Sequence, residues 1–321
     1  MLRKIRIAAA AVCFSLVTLL FLDFTGTLHA WFGFLARIQF LPALLALNVG
    51  VVAALVVLTL LFGRIYCSVI CPLGVMQDGV SWAAGKRKKN RFRYSPALTW
   101  LRYGVLALFI VALIAGIGSL VALIAPYSAY GRIASNLFAP LWQWGNNLLA
   151  YIAERLDGYA FYAVDVWVKN AATFAIAAGT FALLFVLAWR NGRTWCNTVC
   201  PVGTVLGAMS RFSLFRPVID PGKCNGCSLC ARNCKASCID SKTHTIDYSR
   251  CVVCMNCMEK CTKNAITYTL RSQRPAPAKE REKELMREGS HAGVSRRSFL
   301  TLTALFAARS AVRAQEKTCL L

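Results

Sequence analysis

Eight of the 15 cysteines fall into two runs of one spacing, Cys224-x2-Cys227-x2-Cys230-x3-Cys234 and Cys251-x2-Cys254-x2-Cys257-x3-Cys261, the second repeating the first 27 residues later. A cubane iron–sulfur cluster needs four thiolates converging on its corners, and the two-residue spacers deliver three of them while turning backbone N–H groups toward the sulfurs. In two-cluster ferredoxins the fourth cysteine of a run ligates the other cluster. One 4Fe–4S cluster is therefore expected on Cys224, Cys227, Cys230 and Cys261, and the other on Cys251, Cys254, Cys257 and Cys234. Zinc ribbons use two separated Cys-x2-Cys pairs per ion and leave no task for four cysteines in each short run. The sequence departs from the bacterial ferredoxin pattern after each fourth cysteine, where Lys235 and Thr262 stand in place of the usual proline. Cys238 aligns with Ala265 on the repeat and is expected to pack as a small apolar residue. His244 has no partner at ligand spacing and is expected at the surface.

A second duplication carries four more cysteines. Gly63-Arg64-Ile65-Tyr66-Cys67-x3-Cys71-Pro72-Leu73-Gly74 recurs as Gly192-Arg193-Thr194-Trp195-Cys196-x3-Cys200-Pro201-Val202-Gly203. In a helical Cys-x3-Cys segment both thiols share a face. Pro72 and Pro201 suit the first turn of a new helix, which would put Cys71 and Cys200 near a positive helix end that lowers a thiol pKa. Redox dithiols, a metal–thiolate site, the wall of a quinol site and inert packing are all open to such residues. Since each copy follows an apolar run, a pseudo-twofold packing of the two halves would bring Cys67 and Cys71 toward Cys196 and Cys200 as one site.

The elements that must hold these motifs are apolar. Of the 321 residues, 57% are hydrophobic, and about Ile7–Leu22, Leu41–Phe62, Tyr103–Ile124 and Ala171–Trp189 are nearly uncharged runs of a length that can cross a bilayer. A chain of this size cannot bury four such runs as soluble core helices. The formal charge of +23 is the other half of that pattern, because Lys and Arg collect in cytoplasmic loops. Nucleic-acid binding is excluded as the explanation on this ground. Arg3, Lys4 and Arg6 precede the first run, Lys86 to Lys89 with Arg91 and Arg93 fill the second loop, and both ends of the four-helix unit are expected in the cytoplasm. The Met1–Leu22 segment lacks a small-residue cleavage site before Asp23 and reads as a first membrane helix. The outer loops are then Asp23–Phe40 and Pro126–Asn170. Trp142, Trp144, Tyr151, Tyr159, Tyr162 and Trp167 in the second are expected as an interfacial aromatic belt. Quinol oxidation releases protons, and Asp23 and His29 at the outer end of the first helix are the candidate acceptors.

The expected architecture is an α-helical membrane protein of four transmembrane helices over residues 1–215, followed by a small α+β two-cluster bacterial-type ferredoxin domain over 216–274. A charged linker over 275–294 leads to a tail, 295–321, in which Ser295-Arg296-Arg297-Ser298-Phe299-Leu300 is a twin-arginine-like pattern.

Taken together, the helix pairs, both Cys-x3-Cys-Pro copies and both cluster motifs resemble the membrane ferredoxin subunits of periplasmic nitrate reductase systems. The electron donor and regulator proteins of nitrous oxide reductase and the copper-reducing assembly proteins of cbb3-type oxidase are similar too. The resemblance covers about Met1 to Arg274 and implies electron transfer between the quinol pool and a partner reductase in the bacterial inner membrane, with lipid, quinone and a redox protein as partners. Longer members continue into a second, exported ferredoxin domain, which would make this chain a shortened form. Two other classes compete with that function: a factor that reduces a metal or thiol during metalloenzyme assembly, and a structural anchor whose clusters serve folding alone.

Overall fold

The computed structural model describes residues 2–23, 25–87, 92–156, 162–166 and 170–271. The expected linker and tail lie outside them, as do Tyr159, Trp167 and, in the Lys86–Arg93 cluster, Lys88, Lys89 and Arg91. The chain opens with helix α1 (Leu2–Leu22), and short helices α2 (Thr27–Phe32), α3 (Phe34–Arg37) and α4 (Phe40–Leu45) lead to α5 (Val49–Phe62). The first Cys-x3-Cys-Pro copy forms α6 (Tyr66–Val69) and α7 (Pro72–Arg87). Helices α8 (Thr99–Ile114), α9 (Gly118–Ile124), α10 (Pro126–Ile133) and α11 (Ala139–Arg155) precede α12 (Ala171–Asn191). The second copy forms α13 (Thr194–Thr198) and α14 (Pro201–Ser210).

Among the described residues, only α1 and α12 are single helices long and apolar enough to cross a membrane, each about 32 Å at 1.5 Å per residue. The other two apolar runs are interrupted, which corrects the expectation of four continuous spans. Leu41–Phe62 breaks where Leu47 takes φ 51° and Asn48 accepts a hydrogen bond from the Val51 N–H, capping α5. Tyr103–Ile124 breaks at Gly116, φ 71°. The expected outer loop from Pro126 is also largely helical: α10 passes through one π-turn, Ala134–Phe138, into α11. That turn ends two residues before Pro140, whose missing N–H and ring disturb a regular helix.

Beyond α14 the polar segment builds two small antiparallel sheets. Strand β1 (Phe215–Ile219) pairs with β4 (Ile266–Leu270), with Phe215 opposite Leu270, and β2 (Ile239–Asp240) pairs with β3 (Thr245–Ile246). Short helices α15 (Leu229–Arg232) and α16 (Asn256–Lys260) each hold the third cysteine of a run, Cys230 and Cys257. Their core is Ile219, Cys234, Cys238, Ile239, Ile246, Cys257 and Ile266. Cys238 and Ala265 are both buried, 1% exposed or less, as equivalent packing positions require. His244 is half-buried rather than exposed, at φ 54° in the β2–β3 turn with a buried Nε2.

The two halves of the helical part exchange partners. α7 packs on α12, and α14 packs on α5, so each helix after a Cys-Pro pair lies against the apolar helix of the other copy. Residues 1–274 form one compact unit.

Candidate functional site

Each Cys-x3-Cys-Pro copy is a broken helix held by the other copy's arginine. Helix α5 ends at Gly63 and α12 at Gly192, both at positive φ, and the chain turns into a short helix that presents the first cysteine. Pro201 then starts α14 with Cys200 as its N-cap, whose Sγ accepts the Gly203 N–H at 3.3 Å. Cys71 accepts from Gly74 in the same way at the start of α7. Arg64 Nη2 donates to the Cys196 carbonyl at 3.2 Å, and Arg193 Nη1 donates to the Cys67 carbonyl at 2.5 Å. These reciprocal bonds are possible because Gly203 and Gly74 lack side chains. A Cβ at Gly203 would lie 2.2 Å from the Cys196 carbonyl oxygen, and one at Gly74 would lie 2.3 Å from that of Cys67.

The four thiols are brought together. Cys67, Cys71, Cys196 and Cys200 are all 4–5% exposed, and Cys200 lies close enough to the other three to interact electrostatically. Burial overrides the helix-end effect expected for Cys71 and Cys200. The Cys71 thiol is pushed up to about 12 by desolvation and by its neighbours Cys67 and Cys196, against the Gly74 hydrogen bond that acts to lower it. Cys200 moves up for the same reasons.

Around the thiols stands a polar shell that spacing alone does not reveal. Asp78, on α7, is buried and ion-paired to Arg193 at 2.9 Å, Arg6 at 3.1 Å and Lys235 at 3.5 Å. Desolvation would raise its pKa, but the charges of Arg193, Lys235 and Arg6 hold the carboxyl well below the usual range. Gln77 Oε1 lies 3.6 Å from Cys196 Sγ. Tyr66, on the first motif, donates from its hydroxyl to Gln39 Oε1 at 3.0 Å and accepts the Phe40 N–H. The one available signal for Asp78 was its position, an acid on the helix following a Cys-Pro pair.

Lys235, which replaces the ferredoxin proline, explains its own presence. Its ammonium reaches Asp78, and its carbonyl accepts the Arg193 N–H at 2.9 Å in the space a side chain at Gly192 would fill. The other copy receives Ser249: its carbonyl accepts from Arg64 and Arg102 and approaches Gly207, the equivalent of Asp78. The ferredoxin segment is thereby fastened to both copies.

Within that segment Cys230 lies near Cys224, Cys227 and Cys261. Cys234, Cys251, Cys254 and Cys257 line one largely apolar cavity with Cys238, Ile239 and Val252. Each group takes three thiols from one run and the fourth from the other, a donor set that suits a 4Fe–4S cluster. Cys254, with Val252, also belongs to the same packed core as Cys67, Cys71 and Cys200. Cys227 is exposed at the opposite, outer group.

Asp23 and His29 are not part of this assembly. The Asp23 carboxylate is a turn cap, accepting the N–H groups of Thr25, Gly26 and His29 and the Thr25 hydroxyl. Desolvation acts to raise its pKa, and these bonds together outweigh it and hold the pKa below the ordinary value.

A family model described as a 4Fe–4S binding domain matches residues 44–91 and 173–219, the two Cys-x3-Cys-Pro copies, and another of the same description matches 244–267. The ferredoxin-type protein NapH of Escherichia coli is 27% identical over 239 residues, 72% of this chain and 70% of its own length. The chain resembles the ferredoxin-type family of NapH and NosR. The regulatory protein NosR of Stutzerimonas stutzeri is 24% identical over 203 residues, 62% of this chain but 23% of NosR. An uncharacterized protein of Methanocaldococcus jannaschii, MJ0749, is 25% identical over 251 residues, 76% of this chain and 80% of its own. No solved structure matches. Iron–sulfur electron transfer is the function this ferredoxin-type likeness supports.

Proposed function

We propose that this chain passes electrons between the quinol pool and a partner reductase through two 4Fe–4S clusters. The cluster on Cys251, Cys254, Cys257 and Cys234 is the inner one, and the cluster on Cys224, Cys227, Cys230 and Cys261 is the outer one. The observation that carries this reading is the shared core of Cys254 with Cys67, Cys71 and Cys200. It makes a short route from the ends of the apolar helices to the inner cluster, while the exposed Cys227 marks the exit toward a partner.

Lipid supplies the setting. Val12 on α1, Val57 on α5, Val111 on α8 and Val186 on α12 are each more than half exposed, an apolar surface that a water-soluble protein does not present on four helices. We place these helices across the inner membrane, α5 and α8 with the help of the apolar segments beyond their breaks, and the clusters on the cytoplasmic side. The bound clusters supply one-electron storage. The chain's own residues position them, exclude water from the inner one and hold the four edge thiols as one site spanning both copies.

The test is quinol-driven reduction of the clusters in lipid, with iron content checked in each variant. Alanine at any one of Cys67, Cys71, Cys196 or Cys200 is expected to abolish membrane-to-cluster transfer while the ferredoxin clusters keep their iron. Double mutants across the copies should be no worse than singles. Additive, partial losses would refute a shared site. Oxidation of the chemically reduced clusters by added copper(II), giving copper(I) at a rate that does not depend on quinol, would favour the metal-reducing assembly factor instead.

A further inference from the structure

Where α12 ends and the chain enters α8, the fold leaves an open cavity of about 450 Å³, a size that holds a small polar ligand or a headgroup. The last residues of α12 and the segment ahead of α8 wall it, α13 contributes Asn197, and the ferredoxin segment contributes Ser237 and Arg250. Buried bonds fix these walls. Arg250, 5% exposed, pairs with Asp247 at 3.1 Å and donates to the carbonyls of Ser95, Pro96 and Ser237. The Phe92 N–H donates to the Arg232 carbonyl at 3.1 Å, and the Ser95 N–H to that of Ser237 at 3.3 Å. Asn197, also buried, accepts from Arg64 and donates to the Ala236 carbonyl. The cavity is therefore built into the join between the helices and the ferredoxin segment.

Its charge is one-sided. Arg93 and Arg190 line it, both exposed, and among the described residues neither is in an ion pair. No Asp or Glu stands between Asp78 and Glu154 or between Asp165 and Asp220, so the segments that carry these arginines supply no counter-charge near them in the chain. Asp247 is taken by Arg250. Two guanidiniums on one polar cavity, with Tyr94 beside them, are a donor set for a phosphate or a similar oxyanion.

The surroundings select the source of that phosphate. Leu98, which lines the cavity, is 58% exposed, and Trp100, in the first turn of α8, is 86% exposed. On the α12 side Val186, one turn before Arg190, is more than half exposed as well. Tryptophan at a helix end is the residue that settles at the headgroup level of a bilayer. A free phosphate would meet the arginines alone, whereas an amphiphile meets both the arginines and the apolar surface that continues from them.

We infer that this cavity binds the headgroup of an anionic phospholipid of the cytoplasmic leaflet, its phosphate on Arg93 and Arg190 and its acyl chains along Leu98 and Trp100. Basic pockets on the cytoplasmic side of membrane helices recognise such headgroups by this chemistry. The inference rests on the placement of α8 and α12 across the membrane and not on the quinol reading. Lipid binding and quinol-driven reduction are measured separately, and reporter fusions test the placement, so each can fail without the others. A lipid seated here touches helices and ferredoxin segment together, and binding only the folded chain it stabilises the fold by mass action.

The experiment follows the thermal midpoint of the full, cluster-loaded chain in neutral detergent during titration with phosphatidylglycerol, with phosphatidylcholine of the same chains, or with inorganic phosphate. Phosphatidylglycerol should raise the midpoint saturably and phosphatidylcholine should not. Arg93→Gln/Arg190→Gln should keep the lipid-free midpoint, since both side chains are exposed. It should need roughly fivefold more phosphatidylglycerol for each arginine lost. Lys4→Gln/Arg211→Gln, which removes two exposed charges outside the cavity, should respond as the native chain does. Arg93→Lys/Arg190→Lys, which keeps both charges, should retain most of the response and guards against a glutamine variant that misfolds. No rise with phosphatidylglycerol, an equal weakening in the Lys4/Arg211 variant, or loss of the response in the lysine variant would overturn the site. An equal rise with inorganic phosphate alone would overturn the lipid as its occupant.

Discussion

A single residue outside both cysteine motifs organises the interior: Asp78 joins the first helix through Arg6, the second motif copy through Arg193, and the ferredoxin segment through Lys235. Removing its charge would leave three cations around a buried amide, so Asp78→Asn should destabilise the fold by about 3–5 kcal/mol; an unchanged thermal midpoint in detergent would contradict this. The pH dependence has a definite sign. The folded pKa of Asp78 is depressed, so its contribution is fully present above the unfolded value of about 3.9 and is lost only as pH falls through the lower folded value. Stability measured from neutrality down to about pH 5 should therefore show no loss in the native protein that Asp78→Asn lacks. The swapped ligand assignment belongs to this scale too. Cys234→Ala should damage the cluster on Cys251, Cys254 and Cys257, and EPR with iron counts showing loss of the Cys224-based cluster alone would contradict it.

Among the elements, the broken helices do the positioning. Each apolar helix stops at a glycine of positive φ, and the short turn that follows leaves room for a partner arginine only because the next helix begins with a glycine in its first turn. A methyl group at Gly203 would meet the Cys196 carbonyl at 2.2 Å and Arg64 Nη2 at 2.8 Å. Gly203→Ala should therefore cost about 1–3 kcal/mol by overpacking and disturb the Arg64 contact. Thermal unfolding in detergent is the check, and a midpoint equal to the native value would show that the backbone yields freely. Gly79, in α7, with no atom within 4 Å of an added Cβ, is the control position: Gly79→Ala should leave stability unchanged or slightly raised, since alanine favours helix over glycine.

For the whole molecule, the proposed topology predicts that a reporter fused in the Lys86–Arg93 loop reads cytoplasmic and one fused near Tyr162 reads outside. The reverse pattern would sink the placement of all twelve motif cysteines. Much of this protein was legible from the chain alone. The cysteine runs announce cubane ligands because their two- and three-residue spacers are a local property, and the duplicated Cys-x3-Cys-Pro segments announce a pseudo-twofold because a repeat carries its own symmetry. Helix continuity was less legible, since hydropathy marks Leu41–Phe62 and Tyr103–Ile124 as single runs while the break at Leu47–Asn48 and the turn at Gly116 depend on backbone conformation. The sequence by itself determined which residues could bind clusters and which segments are apolar. The tertiary structure decided what those residues face: that Lys235, in place of a proline, reaches Asp78, that burial raises rather than lowers the Cys71 thiol, and that Arg64 lies beside Cys67 with no carboxylate at ion-pair distance among the described residues. Charge pairing and desolvation depend on distances between residues far apart in the chain, and no spacing rule carries them.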